Sequence, residues 1–337
     1  MESKGGFDVD AAYVKFYEFG SPRQVLKVEN RELQRPKAGE VLVQMTERPI
    51  NPSDLLPVYG VYSHRISLPA IPGYEGVGVV VDVGPSVSSQ WIGKRVLPLR
   101  GEGTWQEYVT CNAELAVPVP AFMEDYMAAQ LYINPITAWV ACTEVLALKP
   151  GDVLLVNACG SSIGRIFAQL SQVLGFQLIA ITRNHHYTEE LLQVGATHVI
   201  NTAETPLQPT VMEWTNGRGA KAAIDSIGGT DGSDLAFSVQ SGGIVLTIGL
   251  LSGQPVHWAE ISKRTNVQVK MLHLRHWNQQ VSVQVWQNTF QHLISLIQKK
   301  KLTFRRPDAH FSLSQVHEAV RYAESSRRNK GKVFLTS

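Results

Sequence analysis

The chain has 337 residues and a mass of 37.2 kDa, which at ~150 residues per domain predicts two domains. Hydrophobic residues make up 44% of the sequence and charged residues 18%, a composition that excludes an intrinsically disordered chain. The formal net charge of +2 excludes the strongly basic surface with which proteins bind nucleic acids or acidic membranes. We therefore expect a soluble globular protein whose partners are small molecules.

The cysteines and the N-terminus indicate the compartment. Cys111, Cys142 and Cys159 cannot all pair with one another, and a chain of this size needs no disulfides. The N-terminal MESKGGFDVD lacks the apolar stretch of a signal peptide and the Arg-rich, acid-poor character of a transit peptide. No run approaches the ~18 apolar residues of a membrane helix. These features predict a cytoplasmic protein with reduced thiols.

The first part of the chain, up to about residue 122, consists of short β-like runs broken by Pro and Gly. This pattern predicts a mostly antiparallel, partly rolled sheet. Residues 124–148 then have a helical pattern with an interruption at Pro135. The predicted strands of the first part are 41–45, 76–84, 94–99 and 105–111.

From residue 153 onward, nearly continuous apolar strands alternate with helices. This alternation indicates a parallel sheet that is buried on both faces, as in a doubly wound Rossmann domain. The helix after Ala158 has apolar residues at the spacing of one helical face, and Gly175 stands where a left-handed C-cap is expected. The predicted strands are 153–158, 176–182, 198–201, 222–228 and 244–250, with further helices at 189–195 and around 234–240.

The last stretch returns to the first domain. We expect a strand at 267–274, an amphipathic helix after it, and a final strand at 331–335 that rejoins the first domain. The prediction is an α/β protein with two domains, one a mostly antiparallel β domain and the other a Rossmann doubly wound parallel sheet. The predicted boundaries are 1–122 with 300–337 for the first domain and 123–299 for the second.

A candidate nucleotide-binding turn follows the strand at 153–158. The run Asn157–Gly164 opens a helix directly after an apolar strand, the place where a dinucleotide fold presents backbone N–H groups to a pyrophosphate. The glycine frame GxGxxG becomes Cys159, Ser161 and Gly164, which keeps one glycine of three. The alternative interpretation is a packing turn that binds no ligand.

The end of the next strand discriminates between the two nicotinamide cofactors. It has the sequence Thr182-Arg183-Asn184-His185 and lacks the carboxylate that binds the ribose 2′-hydroxyl of NAD. Arg183 offers a charge-assisted contact to the 2′-phosphate of NADPH. The alternative is that Arg183 is simply a solvated residue at a strand end.

An ordered set of motifs spans nearly the whole chain. With it the sequence resembles the medium-chain dehydrogenase/reductases, and within them the zinc-independent branch of quinone oxidoreductases and 2-enoyl thioester reductases. The resemblance implies that the first domain is GroES-like. The motifs are Asn51–Asp54, Tyr59–Tyr62, Leu68–Gly76, Gly103–Trp105, Asn134–Ala138, Asn157–Gly164, Asp225, Gly228–Gly229 and Gly331–Val333.

The same resemblance implies that no metal is bound. Zinc-dependent members have Gly-His-Glu where this chain has Gly73-Tyr74-Glu75, and they use cysteine ligands that three scattered cysteines cannot supply. Without a metal, charge that develops on a substrate oxygen has to be stabilised by hydrogen-bond donors of the protein and by the cofactor.

The resemblance also implies the site residues. Tyr62 matches the proton-donating tyrosine of the 2-enoyl thioester reductases. A phenol suits that role because it is protonated at neutral pH and can donate to an enolate. Tyr59 is the rival donor, and a purely structural ring at Tyr62 is the alternative. The residues implied to bind NADPH are Asn51, Asn134, Thr137, Gly160, Ser161, Ser162, Ile163, Arg183, Asn184, His185, Ile248, Gly249, Leu250, Leu251, Leu272, His273, Leu274 and Lys332.

These observations predict an NADPH-dependent reductase of activated carbon–carbon double bonds, with a 2-enoyl thioester (enoyl-CoA or an enoyl acyl carrier protein) as substrate. A quinone or alkenal reductase on the same fold is the nearest alternative. A non-catalytic NADPH-binding sensor is an alternative of another class, because the glycine frame is eroded. We also expect a homodimer, in which the strand at 267–274 extends the sheet into a second copy.

Overall fold

The computed structural model describes residues 7–101, 103–325 and 331–337, with side chains from residue 10 onward. The first six residues of the N-terminal segment MESKGGFDVD lie outside this range. The chain forms two compact units. The first unit contains the chain up to Ile133 together with Ser282–His292 and Phe304–Ser337, and the second contains Asn134–Val281 and Leu293–Thr303.

The N-terminal part of the first unit is built from short strands. Its apolar residues alternate along the central strand, where Val41, Val43 and Met45 are buried in one cluster with Val80 and Val109. The elements are β1 (Phe7–Phe16), α1 (Pro22–Val25), β2 (Leu26–Leu33), β3 (Glu40–Pro49), α2 (Pro52–Leu55), β4 (Val77–Val83), β5 (Arg95–Leu97), β6 (Tyr108–Asn112), β7 (Val117–Pro118) and α3 (Asp125–Ala128).

The chain then alternates strands with helices, as the apolar pattern predicts. The helix after the first of these strands begins at a Ser161 cap, whose Oγ accepts a hydrogen bond from Gly164 N (3.2 Å), and ends at Gly175 in the left-handed region (φ 79°). The elements are α4 (Ile133–Val140), β8 (Val153–Val156), α5 (Ser162–Leu174), β9 (Gln177–Thr182), α6 (Thr188–Val194), β10 (His198–Asn201), α7 (Leu207–Trp214), β11 (Ala220–Asp225), α8 (Gly229–Phe237), β12 (Val239–Thr247), α9 (Trp258–Arg264), β13 (Gln268–Met271), α10 (Leu274–Gln280) and α11 (Val283–Gln298).

The C-terminal segment completes the sheet of the first unit. It forms β14 (Pro307–Ser312), α12 (Val316–Ala323) and β15 (Lys332–Thr336). β15 pairs in parallel with β14 and antiparallel with β3, so the prediction that the last strand rejoins the first sheet is confirmed. The sheet has the order β14-β15-β3-β4-β5-β7, with β6 also paired to β3, and β1 and β2 form a separate antiparallel pair.

The second unit has one parallel sheet with the order β10-β9-β8-β11-β12-β13. The strand order reverses between β8 and β11, as in the doubly wound arrangement whose carboxyl edge binds ligands at such a reversal. Helices cover strands that are buried on both faces, including Leu154, Leu155 and Ile179. The predicted fold class is therefore confirmed.

Apart from the short stretch 300–303, the unit boundaries differ from those expected from the sequence at two places, residues 123–133 and residues 282–292. The first part of α11 belongs with the first unit because the Trp286 indole N–H donates to Leu115 O (3.0 Å) and the Trp286 ring meets Tyr132 edge-on. Asp125 likewise bonds Thr46 Oγ1 (3.0 Å) of the first sheet. Specific side-chain contacts, rather than composition, decide both limits.

Three predicted elements are wrong in detail. The strand expected at 267–274 ends at Met271, and Leu274 begins α10. The helix expected around 234–240 begins earlier, at Gly229, and residues from Val239 onward form β12. Pro135 does not interrupt a helix, because it stands in the first turn of α4, where its missing N–H has no intrahelical acceptor to lose.

None of the helices within the described ranges is both long and apolar enough to cross a membrane.

Candidate active site

The turn between β8 and α5 has no room for side chains at two glycines. A Cβ on Gly164 would lie 2.3 Å from the Cys159 carbonyl oxygen, and a Cβ on Gly160 would lie 2.4 Å from the Tyr187 ring. Ser162 and Ile163 are the first residues of α5, and their N–H groups have no acceptor within the helix. The turn therefore brings bare backbone and a helix N-terminus to the carboxyl edge of the sheet, which suits a phosphate.

Asn157 and Asp225 join the turns that follow β8 and β11. Asn157 Nδ2 donates to Asp225 Oδ1 (2.7 Å), and Asn157 Oδ1 accepts from Ser226 N (2.8 Å). The same Asp225 oxygen accepts from Ile227 N and Gly228 N (both 3.0 Å). Asp225 Oδ2 is buried and has no hydrogen-bond partner among the described residues. In the sequence Asp225 is only one of the family motifs, and nothing there indicates the organising role of Asn157.

The segments after β12 and β13 lie at the same edge of the sheet. Ile248 N donates to Asp225 O (2.9 Å) and Leu251 N donates to Ser226 O (3.0 Å), so residues 248–251 run beside the Asp225 turn. Leu272 N donates to Thr247 O (3.0 Å). The structure thus places the predicted residues Gly160–Ile163, Ile248–Leu251 and Leu272–Leu274 at the same carboxyl edge of the parallel sheet.

Arg183 is exposed at the end of β9 and makes no ion pair with any residue for which the structure describes a position. Asn184 accepts a hydrogen bond from His186 N (3.0 Å) and so begins the short turn that follows. His185 Nε2 lies 2.7 Å from Glu204 Oε2, which belongs to the loop after β10. The sequence shows no carboxylate at the end of β9, but the fold supplies one from the neighbouring strand.

Two other predicted residues of this unit lie on α4. Asn134 and Thr137 are both half-buried, and their spacing of three residues puts them on one side of the helix.

Tyr62 lies in the first unit and is half-buried. It precedes the short helical turn Ser63–Arg65, and the Arg65 guanidinium lies over its ring, 4.0 Å from the centroid. A cation in this position attracts the ring face and restricts its motion.

Tyr59, the rival donor, is held elsewhere. Its hydroxyl donates to Glu324 Oε1 (2.5 Å), and Glu324 also pairs with Arg23 (3.1 Å). Burial and this hydrogen bond to Glu324 raise the pKa of Tyr59 to about 12. The proton of Tyr59 is therefore already committed to a carboxylate of the protein.

Asn51 and Lys332 belong to a buried polar cluster of the first unit. The Lys332 ammonium donates to Asn51 Oδ1, and Asn51 Nδ2 donates to Glu75 Oε1 (2.8 Å). Asp54 accepts from Asn51 N (2.7 Å) and from Tyr74 N (3.1 Å). All four side chains are at least nine-tenths buried. The cluster places two carboxylates and one ammonium side by side in the core.

Burial sets the protonation of the two carboxyl groups. It raises the pKa of Asp54 to about 7, with a further contribution from the neighbouring Glu75. It also raises the pKa of Glu75, against the opposing effects of the Ile133 N–H and the Lys332 charge. Sequence reasoning singled out Glu75 only as part of the motif that lacks a zinc ligand.

The cysteines Cys111, Cys142 and Cys159 are buried and free. Burial raises the pKa of Cys159, in the phosphate turn, above its ordinary value, so this thiol is unreactive there. Within the described part of the chain, no group of three or more His, Cys, Asp or Glu side chains is placed to hold a metal ion.

Comparison with known families finds two matching models. Residues 37–121 match the alcohol dehydrogenase GroES-like domain, and residues 194–335 match the zinc-binding dehydrogenase domain. These matches fall on the first sheet and on the second half of the parallel sheet with the C-terminal segment.

Individual proteins match over most of the chain. A Xenopus tropicalis protein named as a mitochondrial enoyl-[acyl-carrier-protein] reductase is 35% identical over 247 residues, which cover 72% of this chain and 70% of that protein. The crystal structure of a Bacillus thuringiensis protein assigned as an NADPH:quinone reductase is 57% identical, with a TM-score of 0.96 over 98% of this chain and 100% of that one. The Escherichia coli quinone oxidoreductase, solved with NADPH, shares the fold at 23% identity, with a TM-score of 0.86 over 97% of this chain and 100% of that one.

Proposed function

The chain belongs to the medium-chain dehydrogenase/reductase family of oxidoreductases, and from that premise we propose that it reduces activated carbon–carbon double bonds with NADPH. A 2-enoyl thioester is the proposed substrate. The observation that carries the cofactor assignment is the carboxyl edge of the parallel sheet, where the phosphate turn, the Asn157–Asp225 pair and Arg183 lie.

The residues at this edge fit a dinucleotide phosphate. The turn at Gly160 and Gly164 leaves space only for backbone, and α5 directs its N-terminus there. Arg183 offers a guanidinium that no described carboxylate neutralises, and in Rossmann folds an Arg near this strand end accommodates the 2′-phosphate of NADPH. The NADPH in the E. coli structure of the same fold supports the assignment.

The proposed reaction adds a hydride and a proton across the double bond. NADPH held by the phosphate turn and Arg183 would supply the hydride for the β-carbon. The Tyr62 hydroxyl donates the proton to the resulting enolate, or holds the enolate oxygen by a hydrogen bond. Arg65 keeps the Tyr62 ring in place. The relatives named enoyl-[acyl-carrier-protein] reductase support the thioester substrate.

A quinone or alkenal reductase is the second candidate. Its support is the assignment of the Bacillus thuringiensis protein, which is 57% identical over nearly the whole chain. Quinone reduction needs no dedicated proton donor, so it does not depend on Tyr62.

We propose a homodimer that pairs two copies of β13. This strand is at the edge of the six-stranded sheet, and all four of its residues are exposed, including Val269 at 49% and Met271 at 67%. An unpaired edge strand with apolar side chains is a template for another strand. Two copies related by a two-fold axis would satisfy both edges at once.

The test is a turnover screen with the purified chain. NADPH oxidation is followed with short and long 2-enoyl-CoA esters, a quinone and an alkenal, each repeated with NADH. We expect turnover of the thioesters with NADPH. Turnover of the quinone alone would favour the second candidate, and NADPH binding without turnover of any acceptor would contradict the proposed activity.

A further inference from the structure

Glu75 uses both carboxylate oxygens on different partners. Oε1 accepts from the Asn51 side-chain amide (2.8 Å), and Oε2 accepts from Ile133 N (2.8 Å) and Tyr132 N (3.2 Å). The side chain is 2% exposed. One buried carboxylate therefore joins the Asn51 side chain to the backbone at the start of α4.

The first of these bonds fixes the orientation of the Asn51 amide. An ionised carboxylate only accepts hydrogen bonds, so the NH₂ group of Asn51 has to face Glu75. The amide oxygen is then on the opposite side, where it accepts from the Lys332 ammonium. With the amide reversed, its NH₂ group would face the ammonium, a donor against a donor, and its oxygen would face the carboxylate, an acceptor against an acceptor. Both hydrogen bonds would then be lost.

The second pair of bonds fixes where α4 begins. The N–H groups at the start of a helix have no acceptor within it, and Glu75 provides one for Tyr132 and Ile133. A carboxylate is also the charge that a helix N-terminus favours. The next residue along the chain is Asn134, one of the predicted cofactor residues.

We propose that Glu75 is a positioning residue for the nicotinamide cofactor, which acts by orienting Asn51 and Lys332 and by setting the start of α4. The inference rests on the proposed function and on the family resemblance, which implies that Asn51, Asn134 and Lys332 bind NADPH. The Glu75 side chain is not needed to hold its own backbone in place, because the buried Thr104 hydroxyl already donates a hydrogen bond to the Glu75 carbonyl oxygen (2.9 Å).

Glu75→Gln separates positioning from packing, because it keeps the shape of the side chain. A glutamine has one oxygen and one NH₂ group. If its oxygen accepts from Tyr132 N and Ile133 N, its NH₂ group faces the NH₂ of Asn51; if its oxygen accepts from Asn51, its NH₂ group faces two backbone donors. Either arrangement sets donors against each other, so the Asn51–Lys332 pair or the start of α4 has to shift.

The experiment measures the NADPH dissociation constant by nicotinamide fluorescence, together with the melting temperature. Thr104→Val is the matched control, because it removes a buried hydrogen bond to the same residue and leaves the carboxylate contacts intact. We expect Glu75→Gln to weaken NADPH binding about tenfold or more. We expect Thr104→Val to lower the melting temperature without that loss of affinity.

A double-mutant cycle then tests whether Glu75 acts through Asn51. In the Asn51→Ala background, Glu75→Gln should weaken NADPH binding by no more than about twofold further, because the amide that it orients is gone. A full additional loss in that background, or unchanged affinity in the single variant, overturns the proposal.

A substitute variant and a binding measurement on the wild type keep the test decisive. If Glu75→Gln does not fold, Glu75→Asp replaces it, because the shortened carboxylate reaches Asn51 or the helix start but not both; the same loss of affinity is expected, and unchanged affinity overturns the proposal. If the wild-type chain does not bind NADPH, the proposed function fails and this inference fails with it. If the wild type binds NADPH and the variants bind it equally well, only this inference fails.

Discussion

The side chain of Asn157 and the carboxylate of Asp225 form a 2.7 Å hydrogen bond that joins the turns after two neighbouring parallel strands. The Asn157 side chain makes a second hydrogen bond to the same turn, since its Oδ1 accepts from Ser226 N (2.8 Å). The pair lies where the strand order reverses. Since the glycine frame keeps only Gly164 of its three glycines, the shape of this edge depends on the polar pair as well as on the phosphate turn.

Asn157→Ala should therefore lower both stability and NADPH affinity. The change leaves the buried Ser226 N–H without its acceptor and removes one of the three donors to Asp225 Oδ1, at a cost of about 2 kcal/mol in the free energy of unfolding. Urea unfolding and fluorescence titration measure the two effects. Thr215→Val is the control, since it removes a buried hydroxyl that bonds Val211 O and Gly219 N near the amino end of β11. Equal NADPH affinity in both variants would contradict the role of Asn157.

Tyr62→Phe should reduce the turnover of 2-enoyl thioesters about a hundredfold, which is a typical contribution of a general acid. NADPH affinity and any quinone reduction should remain. Tyr59→Phe is the matched control, because the Tyr59 hydroxyl is bonded to Glu324; we expect its turnover to stay within about twofold of the wild type. A larger loss of turnover in Tyr59→Phe than in Tyr62→Phe would contradict the proposal, because it would make Tyr59 the proton donor.

The buried Asp54 should make stability fall as the pH rises. Burial raises its pKa in the folded protein to about 7 from an ordinary 3.8, so the folded chain holds this proton more tightly than the unfolded chain does. The contribution is fully present below about pH 4 and is lost as the pH approaches about 7. Asp54→Asn should flatten the fall in melting temperature across that window. Parallel pH profiles of variant and wild type would show that Asp54 does not titrate there.

The double variant Val269→Lys, Met271→Lys should separate the proposed dimer into monomers. Charged side chains on an edge strand oppose pairing with a second copy. Multi-angle light scattering after size exclusion measures the mass directly. Leu192→Lys, an equally exposed apolar position on α6, is the control and should leave the dimer intact. A wild-type monomer, or a dimer that persists in the double variant, would contradict the pairing of β13.

The sequence was most informative where one local pattern decided the structure. The apolar runs of β8, β9 and β11 are almost wholly buried, which made the parallel sheet predictable, and Gly175 marked the end of α5 at the expected residue. The alternation of strands and helices then located the turn at Gly160–Gly164 and the strand end at Arg183. These features depend on residues that are close together in the chain.

The sequence was least informative where distant residues meet. Glu75 accepts a hydrogen bond from Ile133 N, and His185 bonds Glu204, but no local sequence pattern predicts either contact. The start of α8 was missed because two glycines, which are poor helix formers, open it at Gly229. The strand at β13 was extended too far because Leu272–Leu274 are as apolar in pattern as the strand before them, although His273 caps the next helix.

The most direct test of the account is the pair of dissociation constants for NADPH and NADH in the wild type and in Arg183→Ala. We expect the wild type to prefer NADPH and the variant to lose about tenfold or more of its NADPH affinity, while NADH affinity stays within about twofold. Arg264→Ala, which removes an exposed guanidinium paired with Glu260, should change neither. Equal affinity of the wild type for both cofactors, or equal losses of both in Arg183→Ala, would contradict it.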